Sequence, residues 1–175
     1  MGQIPFAPQW RTRNRQTGSP SVLVKKPFDQ SMYDSDDPAK HLVLDWLMST
    51  GFYGNINPDQ YGIDLVGDYS GVPYGIEVEI KHNWKGDQFP FNTVHFSARK
   101  LKFLKTTAEV VFVMLNHERT HALTVGKKSL ESAIIVTKDT IYTDNEEFIE
   151  VPLAECSVNI IHINKGEQDD NRTEL

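Results

Sequence analysis

The sequence predicts an α/β domain, a mixed β-sheet flanked by helices, and two observations carry that prediction. Residues 74–81, YGIEVEIK, alternate strictly, with Ile76, Val78 and Ile80 on one face and Glu77, Glu79 and Lys81 on the other. That is the period of a half-buried strand. Residues 110–115, VVFVML, are continuously apolar, as a strand covered on both faces must be. Segments of helical character stand before and between them, and such an order folds as a sheet with helices packed on it.

A first helix is expected to begin near Asp37. Asp36 or Asp37 can cap it, Pro38 fits its first turn, and Leu42, Val43, Trp46 and Leu47 recur at helical spacing before Gly51 ends it. Ile63, Leu65 and Val66 around Asp64 form a short strand, and DYSG at 68–71 joins it to residues 74–81 as a hairpin. A second helix is expected in SARKLKFLKTTA, capped by Ser97. After the apolar strand, NHERT at 116–120 is a turn and HALTV a returning strand; residues 127–132 suit a short helix, and 134–137, 148–151 and 158–163 are further strands. Residues 1–30, rich in Pro, Arg, Gln and Ser, form an extended basic arm; residues 31–164 form the domain; residues 165–175 are a polar, disordered tail.

Composition excludes several classes. The chain of 175 residues suits one domain. No apolar run approaches the roughly 20 residues that span a bilayer, and the N-terminus lacks the apolar segment of a signal peptide. Cys156 is the only cysteine, which rules out an internal disulfide and a cysteine-based zinc site, and fits a reducing, cytoplasmic compartment (that of a host, for a phage protein). The net charge of −6 is uneven: residues 1–30 carry five basic side chains against Asp29, so the rest carries −10. An acidic body is unlike a protein that coats duplex DNA through phosphate neutralisation. It suits a site that gathers carboxylates around a divalent cation. Phosphate-cradling glycine loops and nucleophile elbows are absent.

The chemistry concentrates on the hairpin. Three charged groups on one strand face are costly if that face is buried, and need no explanation if it is solvated. Asp64, fifteen residues before Glu79 on the paired strand, brings a second carboxylate beside the first. Two close carboxylates repel unless a cation neutralises them, and Mg²⁺ or Mn²⁺ suits such oxygen donors. Lys81 points the same way as Glu79, where it can orient a water or neutralise a crowded phosphate. Asp64, Glu79 and Lys81 are thus the minimum equipment for metal-assisted phosphodiester hydrolysis.

In this order, a helix, then Asp64 and Glu79-Ile80-Lys81 across a hairpin, then a helix and strand, the chain resembles the PD-(D/E)XK nuclease superfamily from about Asp36 to Val125. The superfamily includes restriction enzymes, Holliday junction resolvases and phage nucleases. The resemblance implies a restriction-endonuclease-like fold. It also implies that Asp64 and Glu79 hold the metal, that the Ile80 carbonyl completes its shell, and that Lys81 is the catalytic lysine. An endonuclease acting on DNA rather than RNA is expected, structure-selective in its cutting, with a homodimer suited to branched substrates.

Three departures stand beside the resemblance. Members often carry a glutamate on the first helix, and that place falls near Lys40 here; Asp36, Asp37 or His41 are the substitutes the helix offers, against an ordinary surface role for His41. The literal Pro-Asp pair is Pro58-Asp59, but Asp59 opens a turn, so Asp64 is preferred. Glu77 is either a ligand to a second metal or a solvated residue at the outer end of its strand. Arg99, Lys100 and Lys85, with Arg11 and Arg13 beside Trp10 in the arm, are candidate contacts to nucleic acid. His82 and Trp84 stand with Lys85 where substrate would pass. The alternative function is a binding module, for nucleic acid or protein, built on the same fold.

Overall fold

The computed structural model describes residues 36–162; the arm at 1–30 and the tail at 165–175 lie outside them. Helix α1 (Asp36–Ser49) comes first. The strands β1 (Phe52–Ile56), β2 (Leu65–Tyr69) and β3 (Val72–Lys81) follow. Next are β4 (Thr93–Ser97), a 3-10 segment (Ala98–Leu104), β5 (Glu109–Asn116) and β6 (His121–Gly126). Helix α2 (Lys127–Ser132), β7 (Ile134–Lys138), β8 (Glu146–Pro152), a short 3-10 turn and β9 (Ser157–Ile160) complete the order.

The main sheet is mixed, with six strands in the order β1-β2-β3-β5-β6-β9. Strands β1, β2 and β3 form an antiparallel meander, β3 pairs with β5 in parallel, and β6 and β9 return antiparallel. The hairpin between β2 and β3 turns at Ser70 and Gly71, both at positive φ. Glycine occupies such a backbone without strain, and the Asp68 carboxylate accepts the Gly71 N–H at 2.9 Å to fix the turn.

Helix α1 covers one face of this sheet. Ala39, Val43 and Leu47, four residues apart, are its buried stripe, packed with Phe52, Leu65, Ile76, Val113 and Leu115. Gly51, at φ +101°, follows the last turn, where the Thr50 and Gly51 N–H groups reach the Leu47 and Met48 carbonyls.

On the opposite face α2 flanks the sheet, as expected, but shares that face with a second layer of strands. A second sheet, β4-β8-β7, packs there, with Val94, Phe96, Ile149 and Val151 against Phe112, Met114, Leu123 and the α2 residue Leu130. Phe96 meets Phe112 edge to face at 5.1 Å. The predicted helix from Ser97 is a 3-10 segment. Ser97 ends β4 and makes no capping bond, and in the three-residue winding Leu101 and Leu104 eclipse on the side that packs on the second core. Strands β1 and β4 were not expected from the sequence. Trp84 is also corrected: it is fully buried in the second core against Phe89, not exposed to passing substrate.

Candidate active site

The charged face of β3 falls on the second-sheet side, because parallel pairing sets Glu77 beside Phe112 and Glu79 beside Met114. Glu77 is therefore only 8% exposed, which decides against a solvated strand face. Asp64 immediately precedes β2, and the Leu65–Ile76 register, continued by one residue, sets it opposite Glu77. Its position is fixed twice over. Its Oδ2 accepts the Val78 N–H at 2.8 Å, and its backbone carbonyl accepts the Asn57 N–H at 2.8 Å.

Two lysines close on these carboxylates. The Lys40 Nζ on α1 lies 2.9 Å from Asp64 Oδ1. The Lys100 Nζ lies 3.0 Å from Glu77 Oε1 and 2.8 Å from Glu79 Oε2. The 3-10 segment makes the second contact possible, since its tighter winding turns Lys100 inward and leaves Arg99 exposed. Burial works to lower the pKa of both lysines, but the carboxylates outweigh it and leave both raised. Burial also raises the Asp36 carboxyl, with Lys40 opposing and Asp64 adding to the rise. Asp36 thus belongs to this electrostatic group.

Glu77 is the most perturbed member. Its Oε2 is buried with no hydrogen-bond partner. Burial, with Asp64 and Glu79 adding repulsion against the pull of Lys100, raises its carboxyl to about 7. A folded-state pKa above the usual 4.5 favours the folded protein while the group is protonated. Stability should therefore be highest below pH 4.5 as far as this group is concerned, and fall as pH rises to about 7. The loss is up to about 3 kcal/mol. Denaturant melts at pH 5 and pH 8 in EDTA should show wild type losing stability relative to Glu77→Gln; an equal response of the two proteins would count against the buried, strained carboxylate.

Lys81 is partly buried, and among the described residues it has no ion-pair partner within 4.0 Å; its Nζ stands 5.9 Å from the centre of the Phe91 ring. Burial lowers its pKa, Glu79 opposes, and Lys138 on β7 adds to the fall. Other candidates lie apart. His41 is exposed, and its Nδ1 bonds the Asp37 carbonyl at 2.9 Å; Asp37 is exposed beside it. Lys85 is exposed on the loop after β3, as is His82, whose ring meets His117 at 5.9 Å. Arg11 and Arg13 lie outside the described residues. Asn116, fully buried, ties that loop to the following turn: its Nδ2 reaches the Gly86 carbonyl at 3.0 Å, and its Oδ1 accepts from Thr120 and His121.

Sequence reasoning did not foresee the roles of Lys40 and Lys100 on the carboxylates, nor a cluster on the second sheet. His95 Nε2 lies 2.6 Å from Glu150 Oε2 and 2.9 Å from Lys138 Nζ. The alternation in TVHFS would have placed His95 opposite Val94 and Phe96, but its partners are remote in sequence.

The whole is a mixed α+β domain carrying an acid–lysine cluster on one face of its main sheet. No protein-family model matches the chain, and no curated protein matches it. Among solved structures, the Holliday junction resolvase Hjc of Archaeoglobus fulgidus, an archaeal hyperthermophile, is similar over 70% of this chain and 84% of its own. The identity is 14% and the TM-score 0.38. A likeness that loose decides nothing about activity; the functional reading rests on the residues of the site.

Proposed function

We propose that the protein is a metal-dependent nuclease, an endonuclease acting on DNA, with Asp64, Glu79 and Lys81 at its centre. The observation that carries this is the cluster of Asp64 and Glu79, both half-buried, around the buried Glu77, with Lys81 beside it and the Glu77 Oε2 left without a partner. An acidic group buried at this cost is unfavourable for folding alone and points to a ligand.

The donor set fits a hard divalent cation such as Mg²⁺ or Mn²⁺, for which carboxylate oxygens are the preferred ligands. Among the described residues no three acidic, histidine or cysteine side chains converge as they stand; the ammonium groups of Lys40 and Lys100 stand among the carboxylates instead. Asp64, Glu79 and the Ile80 carbonyl would hold the cation, with Glu77 the further oxygen donor. Lys100 would then move from Glu79 toward substrate phosphate. When bound, the cation supplies Lewis acidity and positive charge at the scissile phosphate.

The remaining work falls to the chain. Lys81, whose lowered pKa is caused chiefly by burial, orients the attacking water and meets the charge that grows on phosphorus oxygens. Lys40 holds the Asp64 carboxylate in place. The water oxygen bonds to phosphorus as its proton leaves to solvent, and the opposite P–O bond breaks in line, its leaving oxygen taking a proton from solvent to depart as an alcohol.

The test is cleavage of single-stranded, duplex and four-way-junction DNA and of RNA, each with Mg²⁺, Mn²⁺ or EDTA. Cutting that needs metal and disappears in Glu79→Ala and Lys81→Ala is the expected result. One observation favours a second reading, a non-catalytic binding module: Lys40 and Lys100 between them already pair with all three carboxylates. Failure to cut any substrate, or cutting unchanged in both variants, would favour it.

A further inference from the structure

The outer face of the second sheet carries a group that the carboxylate cluster does not use. On β4, His95 alternates with the buried Val94 and Phe96, so its ring leaves the core on the other side. Register sets Glu150 of β8 directly across from His95 and Ile134 of β7 beside Glu150. Lys138, at the far end of β7, folds back to reach both His95 and Glu150, at 2.9 and 3.7 Å. The Phe148 ring meets the His95 ring edge-on at 6.2 Å.

The His95 Nε2 atom has two partners that make opposite demands. Glu150, at 2.6 Å, can only accept a proton from it; the Lys138 ammonium, at 2.9 Å, can only donate to it. One proton arrangement satisfies each. With the proton on Nε2 directed to Glu150, the Lys138 ammonium is released to pair elsewhere. Among the described residues nothing else binds the His95 ring nitrogens.

This group borders the carboxylate cluster. Lys81 lies close enough to Lys138 and to His95 for their charges to oppose one another, while Glu150 and Glu79 pull the other way. Glu79 is engaged by Lys100. Lys81 and Lys138 therefore stand together with one carboxylate, Glu150, shared between Lys138 and His95. Two ammonium groups that share one carboxylate leave positive charge in excess, and such an excess is a seat for an anion.

Resting on the nuclease reading of the adjoining site, we infer that Lys138 and His95, held by Glu150, form a subsite for a backbone phosphate of the nucleic acid, next to the phosphate that Lys81 attends. A phosphate oxygen there pairs with Lys138, and its charge favours the doubly protonated His95 ring with Nε2–H directed to Glu150. The titratable groups facing His95 are then Glu150 from β8, Lys138 from β7 and Lys81 from β3. Burial holds the His95 pKa below its ordinary value in the free protein, with Glu150 opposing, so phosphate binding should move it upward.

The test measures binding in EDTA, so that it does not depend on cutting. Fluorescein-labelled single-stranded and duplex DNA oligonucleotides are titrated against wild type, Lys138→Gln, His95→Gln and Lys128→Gln, the last an exposed lysine on α2 that controls for net charge. Lys138→Gln should bind about tenfold more weakly, and its dependence of log affinity on log salt should be shallower by about one. His95→Gln should weaken binding in the same direction, and Lys128→Gln should resemble wild type. The His95 ring, identified by its loss from histidine nitrogen spectra of His95→Gln, should titrate at higher pH once oligonucleotide is bound. Lys138 is 47% exposed, so its variant tests the idea even if His95→Gln folds poorly. Wild-type binding that Lys138→Gln leaves unchanged, with an unmoved His95 titration, would overturn the subsite even in an enzyme that cuts. Binding that shows these shifts in a protein that cuts nothing would retain the subsite and remove the nuclease. No binding by wild type would overturn the subsite.

Discussion

Asp64→Asn is expected to slow Mg²⁺-dependent cleavage by about 10³-fold or more, the scale on which a single preorganised electrostatic group acts at a phosphoryl or acyl centre. The substitution is nearly isosteric. An asparagine carbonyl can still accept the Val78 N–H that Asp64 now accepts at 2.8 Å, so the chain geometry around the hairpin should persist. What disappears is the charge. Lys40 loses its partner at 2.9 Å. Both side chains are partly exposed, so solvent screening keeps the stability cost to about 1 kcal/mol. Single-turnover cleavage beside a thermal melt separates the two effects. A variant that melts close to wild type and cuts far more slowly is the expected outcome. Cleavage within tenfold of wild type would remove Asp64 from the centre of the reaction.

Trp84→Ala should destabilise the protein by about 3–5 kcal/mol, the usual range for truncating a large buried aromatic. Trp84 is fully buried beneath Phe89, and its backbone does as much as its ring. Its N–H reaches the Lys81 carbonyl at 2.9 Å, and its carbonyl receives the His117 N–H at 2.7 Å. It thus locks the first turn after β3 to the end of β5. Trp84→Phe should behave quite differently. The indole Nε1 is buried without a hydrogen-bond partner, and removing an unsatisfied donor recovers part of what the smaller ring loses in packing. Chemical denaturation of the two variants distinguishes them: a phenylalanine variant as unstable as the alanine one would mean the indole N–H is satisfied in solution.

Much of the central sheet could be foreseen because its burial is written in periodicity. Strand β3 alternates, β5 is apolar throughout, and the Asp68–Gly71 turn carries the residues such a turn requires. The spacing that brings Asp64 beside the β3 carboxylates follows from the hairpin alone. Strand β1 escaped notice because it is an edge strand with two of its five residues exposed, Tyr53 among them, and a glycine at its centre. Strand β4 lies within a run of aromatics, FPFNTVHF, whose alternation is too short to stand out. The segment after it resembles a helix in composition, yet tertiary packing gives it the tighter 3-10 winding, with Lys100 directed inward. Lys40 marked the first-helix position where an acid was expected; that it pairs with Asp64 depends on how α1 lies across the sheet, which no local pattern encodes. The His95 cluster was hidden for the plainest reason, since its three members come from strands that meet only in the folded chain.

The pairing of β4 with β8 joins Val94 to Val151 and Phe96 to Ile149. All that lies between them in sequence, including β5, β6 and α2, must exist before this ladder can form. On a ribosome, the acidic cluster of α1, β2 and β3 emerges early, whereas the strand that supplies Glu150 emerges near the end of the domain. Long-range closure of this kind is slow and entropically late. A nascent chain can therefore assemble its hairpin with the second sheet still open, and that face of the main sheet is covered only as synthesis of the domain finishes. Order of synthesis thereby becomes order of assembly: Glu150 joins His95 and Lys138 by one of the last contacts to form.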